Sequence, residues 1–252
     1  MSNAKEGETW YVKNGKRFDG RALDELRPIT MKVGVIPQAE GSAFVQWGHN
    51  KAVAAVYGPR EVLPKHMANP YKAIIRCYYR MAPFSVPEHK NSRPGRRDIE
   101  ISKVLSEALE RAVLTNKFPN SQIEVHITLL DADAGTRITG LTAASLALAS
   151  AGIPMRDLVC GVAVGKAGGH VVVDVTKHEE DAPDAVDLPM AVLPNLSEVV
   201  LMQMDGPADA KEWKAMYDAG IKAASKVYEM QKQALKEAYS LEGDSGEDGD
   251  HQ

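Results

Sequence analysis

The sequence is poor in cysteine and has no long hydrophobic run, and both shortages restrict what the protein can be. Its two cysteines, Cys77 and Cys160, lie far apart in strand-like segments. This pattern favours reduced thiols in a cytoplasmic protein over a disulfide framework or a cysteine-based metal site. No apolar run reaches the length of a membrane span, and the polar N-terminus lacks the apolar core of a signal peptide. We therefore expect a cytoplasmic protein that does not contact a membrane.

Apolar residues are plentiful enough for a large core. The chain has 252 residues and is 44% hydrophobic, so it can bury one core or two fused half-domains. Residues 1–16 are polar and predict a loosely ordered N-terminal arm. Periodicity predicts helices over residues 98–116 and 208–239. It predicts strands over residues 31–36, 42–47, 51–57, 73–79, 122–130, 158–164, 170–175, 190–193 and 198–204, the last of them well buried.

Charge is distributed unevenly, although the formal net charge is only −4. Residues 240–252 contain five acids and no lysine or arginine, a composition typical of a disordered acidic tail. Residues 60–97, in contrast, contain nine basic residues and two acidic ones. Such a basic block is expected where a protein binds a polyanion. Solvated loop and strand charges explain the block equally well.

The most informative segment is a turn between a predicted strand and an apolar helix near the middle of the chain. The strand covers residues 122–130, and residues 141–151 are a run of helix formers. Gly135, Thr136 and Arg137 would then lie at a helix N-terminus, where free backbone amides and the helix dipole attract anions. A phosphate site is one interpretation of this segment, and taken alone it is the less common one. A helix cap followed by a surface arginine is the simpler alternative.

An acidic loop, residues 178–187, supplies carboxylates without a clear arrangement. Asp181 and Asp187 are separated by Pro183, which prevents them from lying on one continuous helix. Clustered carboxylates can bind a metal, or can raise one another's pKa until one of them acts as an acid. A solvated acidic loop is the commoner explanation for such a cluster.

Several separated motifs, taken together and in order, resemble the RNase PH family of phosphate-dependent exoribonucleases, and within it the catalytic RNase PH-like subunits of archaeal exosomes. The motifs are residues 17–29, the turn at residues 135–137, residues 152–158, and the spacing of Asp181 and Asp187. The resemblance implies an α/β (α+β) fold of the ribosomal protein S5 domain 2 type. It implies two similar halves, residues 17–152 and 153–239, each with a mixed β-sheet packed on helices.

The resemblance also implies an activity. The reaction would be phosphorolysis of single-stranded RNA from its 3′ end, with inorganic phosphate as co-substrate and nucleoside diphosphates as products. Because this reaction conserves the bond energy, the same site should also add RNA tails. Asp181 and Asp187 match catalytic carboxylates that could hold Mg²⁺. The phosphate-binding positions match Gly135, Thr136 and Arg137, and the RNA-binding positions match Arg96, Arg97 and Lys65.

The implied assembly is a six-membered ring with a related, non-catalytic RNase PH-like subunit and RNA-binding cap proteins. Two alternatives remain at this point. One is a bacterial-type RNase PH, a homohexamer that trims tRNA 3′ ends. The other is a non-catalytic RNase PH-like subunit that only binds RNA in the ring. Such subunits usually lack the essential aspartate or the phosphate arginine, whereas this chain has Asp181 and Arg137.

Overall fold

A computed structural model describes residues 11–13 and 15–243, with side chains as far as residue 240. Most of the predicted polar arm, and residues 244–252 of the predicted acidic tail, lie outside the described residues. The described chain contains eleven strands and four α-helices. The helices are α1 (Arg96–Ala112), α2 (Thr136–Ser150), α3 (Lys177–Glu180) and α4 (Ala210–Gly243). No helix in the described part of the chain is long and apolar enough to cross a membrane.

The first sheet has five strands in the order β3-β4-β5-β7-β6. Alternation of apolar and polar residues places one face of each central strand in the core, as the sequence predicts for β7. Strand β6 runs parallel to β7, and the remaining neighbours are antiparallel, so this sheet is mixed. The strands are β3 (Ile29–Val33), β4 (Gly41–Trp47), β5 (Asn50–Glu61), β6 (Ile74–Met81) and β7 (Ser121–Asp131).

The second sheet has four strands in the order β11-β10-β8-β9 and is antiparallel throughout. Its strands are β8 (Cys160–Ala167), β9 (His170–Val173), β10 (Val186–Leu193) and β11 (Glu198–Met202). A short turn joins β8 to β9 and another joins β10 to β11, and short turns connect antiparallel neighbours. The structure therefore confirms an α/β fold of sheets packed on helices. A mixed sheet was expected in each half. The first sheet is mixed, and the second is purely antiparallel.

Helix α2 forms the centre of the core because it is apolar on every side. Every residue from Ile138 to Leu148 is buried. The helix contacts β4 and β5 of the first sheet and β8 of the second, so both sheets share it. A helix without a polar face is stable only when it is enclosed in this way. Its N-terminus is consequently held at a fixed position between the two halves.

Several element boundaries differ from the prediction. Helix α1 begins at Arg96, two residues earlier than predicted, so Arg96 and Arg97 belong to its first turn. Strand β11 was predicted to be well buried, but it is an edge strand in which Leu201 alone is buried. Helix α4 continues to Gly243 and includes the first residues of the predicted tail. The acidic segment 178–187 is not one loop, because it contains most of α3 and the start of β10.

The predicted N-terminal arm is partly ordered. Strands β1 (Val12–Lys13) and β2 (Lys16–Arg17) form a small hairpin, in which Val12 and Arg17 are buried. The cysteines follow the prediction, since Cys77 and Cys160 are free and buried in β6 and β8. Burial raises the pKa of each thiol to about 12. Both thiols therefore remain protonated and unreactive near neutral pH.

Candidate active site at two helix N-termini

A cavity of about 830 Å³ opens where the N-termini of α1 and α2 meet α3 and β10. It brings together basic and acidic side chains from both halves of the chain. The basic residues that line it are Arg96, Arg97, Arg137 and Lys177. The acidic residues that line it are Glu100, Glu180, Asp187 and Asp205. An anion can therefore be held by cations here while a carboxyl group lies beside it.

The turn before α2 has the backbone geometry that an anion site requires. Ala134 and Gly135 have φ angles of +49° and +66°, both in the left-handed region. A Cβ on Gly135 would lie 3.4 Å from a guanidinium nitrogen of Arg27, so glycine suits both the angle and the space. Helix α2 begins at Thr136, and the first amides of a helix have no partner within the helix. These amides are available to an anion.

Arg137 lines the cavity, and one of its side-chain donors is unpaired in the described chain. Its Nε atom is buried and has no hydrogen-bond partner among the described residues. Buried polar atoms are nearly always paired, so an unpaired donor in a cavity indicates a ligand position. Thr136 behaves differently. Its side chain is buried, and its hydroxyl accepts a hydrogen bond of 2.9 Å from the hydroxyl of Tyr79.

Asn50 and Arg27 fix the shape of this turn. The side-chain oxygen of Asn50 accepts a hydrogen bond of 2.6 Å from the Asp133 amide. Its side-chain nitrogen donates to the carbonyl oxygens of Asp133 and Ala134. Arg27 donates to the same Asp133 carbonyl at 2.6 Å. The carboxylate of Asp133 in turn accepts a 3.2 Å bond from the amide of Lys177, which connects the turn to α3.

Replacing Asn50 with alanine should loosen the turn. The change leaves the part-buried Asp133 amide and Ala134 carbonyl without this partner, whereas the Asp133 carbonyl keeps Arg27, at a cost of about 1–3 kcal/mol in the free energy of unfolding. If the turn binds inorganic phosphate, as the sequence predicts, the KM for phosphate should also rise. Asn195→Ala is the matched control, because Asn195 bonds Asp157 and Tyr228 outside the cavity. Equal phosphate KM values for the two variants would contradict this role of Asn50.

A second buried network holds α3 in place. The guanidinium of Arg17 forms a two-point ion pair with Glu179, and both side chains are fully buried. Glu179 also accepts hydrogen bonds from the amide and hydroxyl of Thr176, which caps α3. Asp174 accepts bonds from Arg27 and from the indole nitrogen of Trp47. The N-terminal hairpin, α3 and the turn before α2 therefore form one connected unit.

Two carboxyl groups that face the cavity have raised pKa values. Burial raises the pKa of Asp187, Arg137 and Arg97 oppose the shift, and Asp205 adds to it. Burial also raises the pKa of Glu180, and the charge of Asp187 raises it further. The Asp187 Oδ1 atom is buried and has no hydrogen-bond partner within the described chain. Asp187 and Arg137 thus both line the cavity, and each has a buried side-chain atom without a hydrogen-bond partner in the described chain.

Asp181, the other predicted catalytic carboxylate, lies at the rim of the cavity and does not line it. It ends α3, and its side chain is 62% exposed. Its Oδ1 atom is 2.7 Å from the Nζ atom of Lys177, which does line the cavity. The structure thus brings Asp187 to Arg137 but pairs Asp181 with Lys177.

The predicted RNA-binding residues lie in two places. Arg96 and Arg97 are exposed in the first turn of α1 and line the cavity. Lys65 is not among the lining residues. It lies in a short 3-10 turn, Lys65–Met67, and its exposed ammonium is 2.8 Å from the carboxylate of Glu61. Any contact between Lys65 and RNA is therefore separate from the cavity.

Asp187→Asn should stabilise the protein at neutral pH while it damages the site. The raised pKa means that the wild type loses stability as pH rises through the folded-state pKa, because the buried group must then ionise. Asparagine carries no such charge. We expect the unfolding free energy of this variant to exceed that of the wild type near pH 7, and the difference to vanish below about pH 4, the unfolded aspartate pKa.

Asp184→Asn is a control for which the expected change in stability has the opposite sign. Burial alone would raise the pKa of Asp184, but hydrogen bonds from the amides of Gly169 and Gly168 lower it overall. This variant should be less stable than the wild type near neutral pH, and the deficit should shrink as pH falls through the folded-state pKa. Chemical unfolding at several pH values measures both curves. A destabilised Asp187→Asn at neutral pH would contradict the assignment.

Sequence reasoning missed Lys177, Glu180 and the residues that hold the turn. One signal for α3 was present, because Thr176 and Glu179 have the spacing of a capping box. Asn50 and Arg27 carried no local signal, since their partners at residues 133 and 174 are far away in the sequence.

Comparison with known proteins identifies the family of the chain. Residues 25–154 match domain 1 of the 3′ exoribonuclease (RNase PH) family, and residues 157–223 match its domain 2. The chain is 52% identical over 239 residues to the exosome complex component Rrp41 of Thermococcus kodakarensis, covering 95% of this chain and 96% of the relative. It is 48% identical over 227 residues to the protein of the same name in Nitrosopumilus maritimus, covering 90% and 93%.

Solved structures give the same result. Rice Rrp46 superposes with a TM-score of 0.77 and 25% identity, covering 87% of this chain and 100% of that one. A chain of the Archaeoglobus fulgidus exosome with RNA bound to the active site superposes with a TM-score of 0.73 and 26% identity, covering 86% and 92%. Both domains of the family are thus matched in order along one chain that also has the family's fold. The chain belongs to the 3′ exoribonuclease (RNase PH) family.

Proposed function

We propose that the chain is the catalytic subunit of an archaeal exosome and degrades RNA from the 3′ end by phosphorolysis. The observation that carries the proposal is the cavity itself. It places the unpaired Nε of Arg137, at a helix N-terminus, beside carboxyl groups with raised pKa values and beside Arg96 and Arg97. This set of groups suits a reaction between two phosphates, which needs charge neutralisation and a proton donor.

In the proposed reaction, Arg137 and the first amides of α2 hold inorganic phosphate. A phosphate oxygen attacks the phosphorus of the last phosphodiester bond, and the bond from that phosphorus to the 3′ oxygen breaks. The departing 3′ oxygen takes a proton from the carboxyl group of Asp181. The products are a nucleoside diphosphate and an RNA shortened by one nucleotide. The reverse reaction adds a nucleotide and releases phosphate.

Asp181 must turn away from Lys177 to reach the leaving oxygen. The pair is exposed, and exposed ion pairs are held by only about 0–1 kcal/mol, so bound RNA can readily displace it. Lys177 would then be free to contact the phosphate that enters the cavity. Asp187 remains fixed at the floor of the site through its backbone bonds to Asp205, each 2.9 Å. We propose that Asp187 orients the reacting groups.

We also propose that the cavity binds Mg²⁺, and the residues present fit such a site in part. In the described chain, no three His, Cys, Asp or Glu side chains are arranged to hold a metal ion. Mg²⁺ is often bound by one or two carboxylates together with phosphate oxygens, however. Asp187, with its unpaired Oδ1, and Glu180 face the cavity and would supply those carboxylates, whereas Asp181 would first have to leave Lys177. The ion would neutralise charge on the reacting phosphates.

The proposal includes a hexameric ring with a related non-catalytic subunit, RNA-binding cap proteins and a cytoplasmic location. The relatives named Rrp41 favour an exosome component over a bacterial-type RNase PH. Expression of the full chain with and without the related subunit distinguishes the two. An exosome subunit should need the partner for a stable, active ring, whereas a bacterial-type enzyme should form an active homohexamer alone. A chain that binds RNA but is inactive in both preparations would be a non-catalytic subunit.

The double variant Arg96→Glu, Arg97→Glu should weaken RNA binding. Both side chains are exposed beside the cavity, where they can contact the sugar-phosphate backbone without reading sequence. We expect roughly a tenfold loss of affinity or more, and a smaller dependence of affinity on salt than in the wild type. Lys103→Glu, also exposed on α1 but not among the cavity-lining residues, is the control. Unchanged affinity across a salt titration would show that the two arginines only begin the helix.

A further inference from the structure

Strand β6 connects the two parts of the basic block. It begins after the loop that contains Lys65 and ends before the loop that leads to Arg96 and Arg97. Strands rise about 3.3 Å per residue, so its eight residues span roughly 25 Å. The strand therefore lies between two predicted RNA-binding positions: Lys65, which does not line the cavity, and the pair Arg96 and Arg97, which does.

The outward side chains of β6 are Arg76, Tyr78 and Arg80, which alternate with buried residues. Arg80 is exposed, and the other two are half-buried. Arg76 reaches toward the Lys65 loop, where its Nη2 atom lies 4.0 Å from the Sδ atom of Met67. The strand thus presents an aromatic ring between two cations on one face.

Rings on the neighbouring strands extend this face. The ring of Tyr78 stacks on His126 with centroids 4.8 Å apart and an angle of 18°. Tyr57 meets His126 edge-on at 5.7 Å, and the guanidinium of Arg60 lies 4.9 Å from the Tyr57 ring centroid. Two acidic groups lie here: Glu124 is opposite Arg76 in register and 3.8 Å from His126, and Glu40 pairs with Arg60 at 2.9 Å. Arginines with stacked aromatic rings are typical of surfaces that bind single-stranded nucleic acid regardless of sequence.

A groove of about 240 Å³ lies between β6 and the first turn of α1. Tyr78 and Arg80 line it on one side, and Pro94, Asp98 and Ile99 line it on the other. Asp98 and Ile99 belong to the first turn of α1, directly after Arg96 and Arg97, which line the cavity. The groove and the cavity thus lie against the same turn of α1 with different lining residues, which brings Arg80 close to the segment that carries Arg96 and Arg97.

The edge of β6 is closed to another β-strand. The amides of Cys77 and Tyr79 donate hydrogen bonds of 2.9 Å each to the hydroxyls of Ser106 and Ser102 on α1. A strand added to this edge would find those donors already used. A partner can therefore contact the side chains at this edge but cannot pair with its backbone. This favours nucleic acid over an added protein strand.

We propose that Arg76, Tyr78 and Arg80 form a track for single-stranded RNA outside the catalytic cavity, from the Lys65 loop to Arg96 and Arg97. A base stacks on the open side of the Tyr78 and His126 pair, and the arginines contact phosphates. The track deepens the proposed function and rests on it, because it assumes that RNA enters the cavity 3′ end first.

The test compares short and long RNA on the full chain, together with the related subunit when activity requires it. RNAs of about 4 and about 16 nucleotides bracket the site sizes of such surfaces. We expect Tyr78→Leu, and Arg76→Ala with Arg80→Ala, to lower affinity for the longer RNA about tenfold or more. Phosphorolysis of the shorter RNA should be unchanged. Tyr78→Phe keeps the ring and should bind normally, as should Lys32→Ala at the opposite edge of the same sheet.

Three results would overturn the track. They are unchanged affinity of the Tyr78→Leu and arginine variants for long RNA, equal losses for short and long RNA, and dissociation of the assembly by these variants. The last would show that the face packs on another subunit. If the wild type binds long RNA but degrades no RNA, the proposed function fails. The affinity comparison among the variants still decides whether the track binds RNA.

Discussion

Asp181→Asn is expected to lower RNA degradation and tail synthesis together by at least about 10²-fold, the usual contribution of a positioned acid. Both directions share one transition state, so one lost proton donor slows both. The RNA affinity and the free energy of unfolding should stay near the wild-type values, because this side chain is 62% exposed and, among the described residues, bonds only Lys177. The KM for phosphate should not rise, since the change frees Lys177 to face the cavity. Steady-state kinetics in both directions measure these effects.

Two further variants distinguish the carboxylates of this segment. Asp184→Asn should be mild in catalysis, because Asp184 bonds the turn between β8 and β9 and does not line the cavity. Glu180→Gln tests the alternative acid, since Glu180 faces the cavity with a raised pKa. Near-normal activity of Asp181→Asn, with a large loss in Glu180→Gln, would identify Glu180 as the proton donor and contradict the assignment to Asp181.

Arg137→Ala should raise the phosphate requirement sharply and cost about 10²–10³-fold in kcat/KM for phosphate, as expected for one charge-assisted contact to the reacting group. The effect should be large because Arg137 lines the cavity and its buried Nε atom has no hydrogen-bond partner in the described chain. RNA affinity should change little. Initial rates over a phosphate titration, together with direct RNA binding, separate the two substrates.

Arg137→Lys should have an intermediate effect on the phosphate requirement. Lysine keeps the charge but loses the planar fork that contacts two oxygens, so its phosphate KM should fall between those of the wild type and Arg137→Ala. Lys51→Ala, a surface cation paired with Asp131, controls for a general loss of positive charge. If all three variants had the same phosphate dependence as the wild type, the turn would be an ordinary helix cap.

The sequence predicted the parts of the fold whose patterns are local. Strand β7 alternates apolar and polar residues, and α2 is an apolar run of helix formers, so both were predicted close to their true positions. Strand β11 was assigned to the interior because it alternates poorly. Its actual position follows from pairing with β10 at the sheet edge, which no local pattern records.

The candidate site was predictable where residues adjacent in sequence act together. The turn at residues 135–137 and the pair Arg96 and Arg97 could be proposed from sequence, and both line or border the cavity. The orientation of the acids could not. Whether Asp181 or Glu180 faces the cavity depends on the short helix α3, which is fixed by the distant Arg17 and Glu179 pair.

The most direct test of phosphorolysis follows the phosphate itself. The full chain, with its ring partner if required, is incubated with single-stranded RNA and radiolabelled inorganic phosphate, and the products are separated. Phosphorolysis predicts nucleoside diphosphates that carry the label, in amounts that depend on phosphate and fall at least about 10²-fold with Asp181→Asn. Unlabelled nucleoside monophosphates, formed at the same rate without phosphate, would show hydrolysis and contradict it.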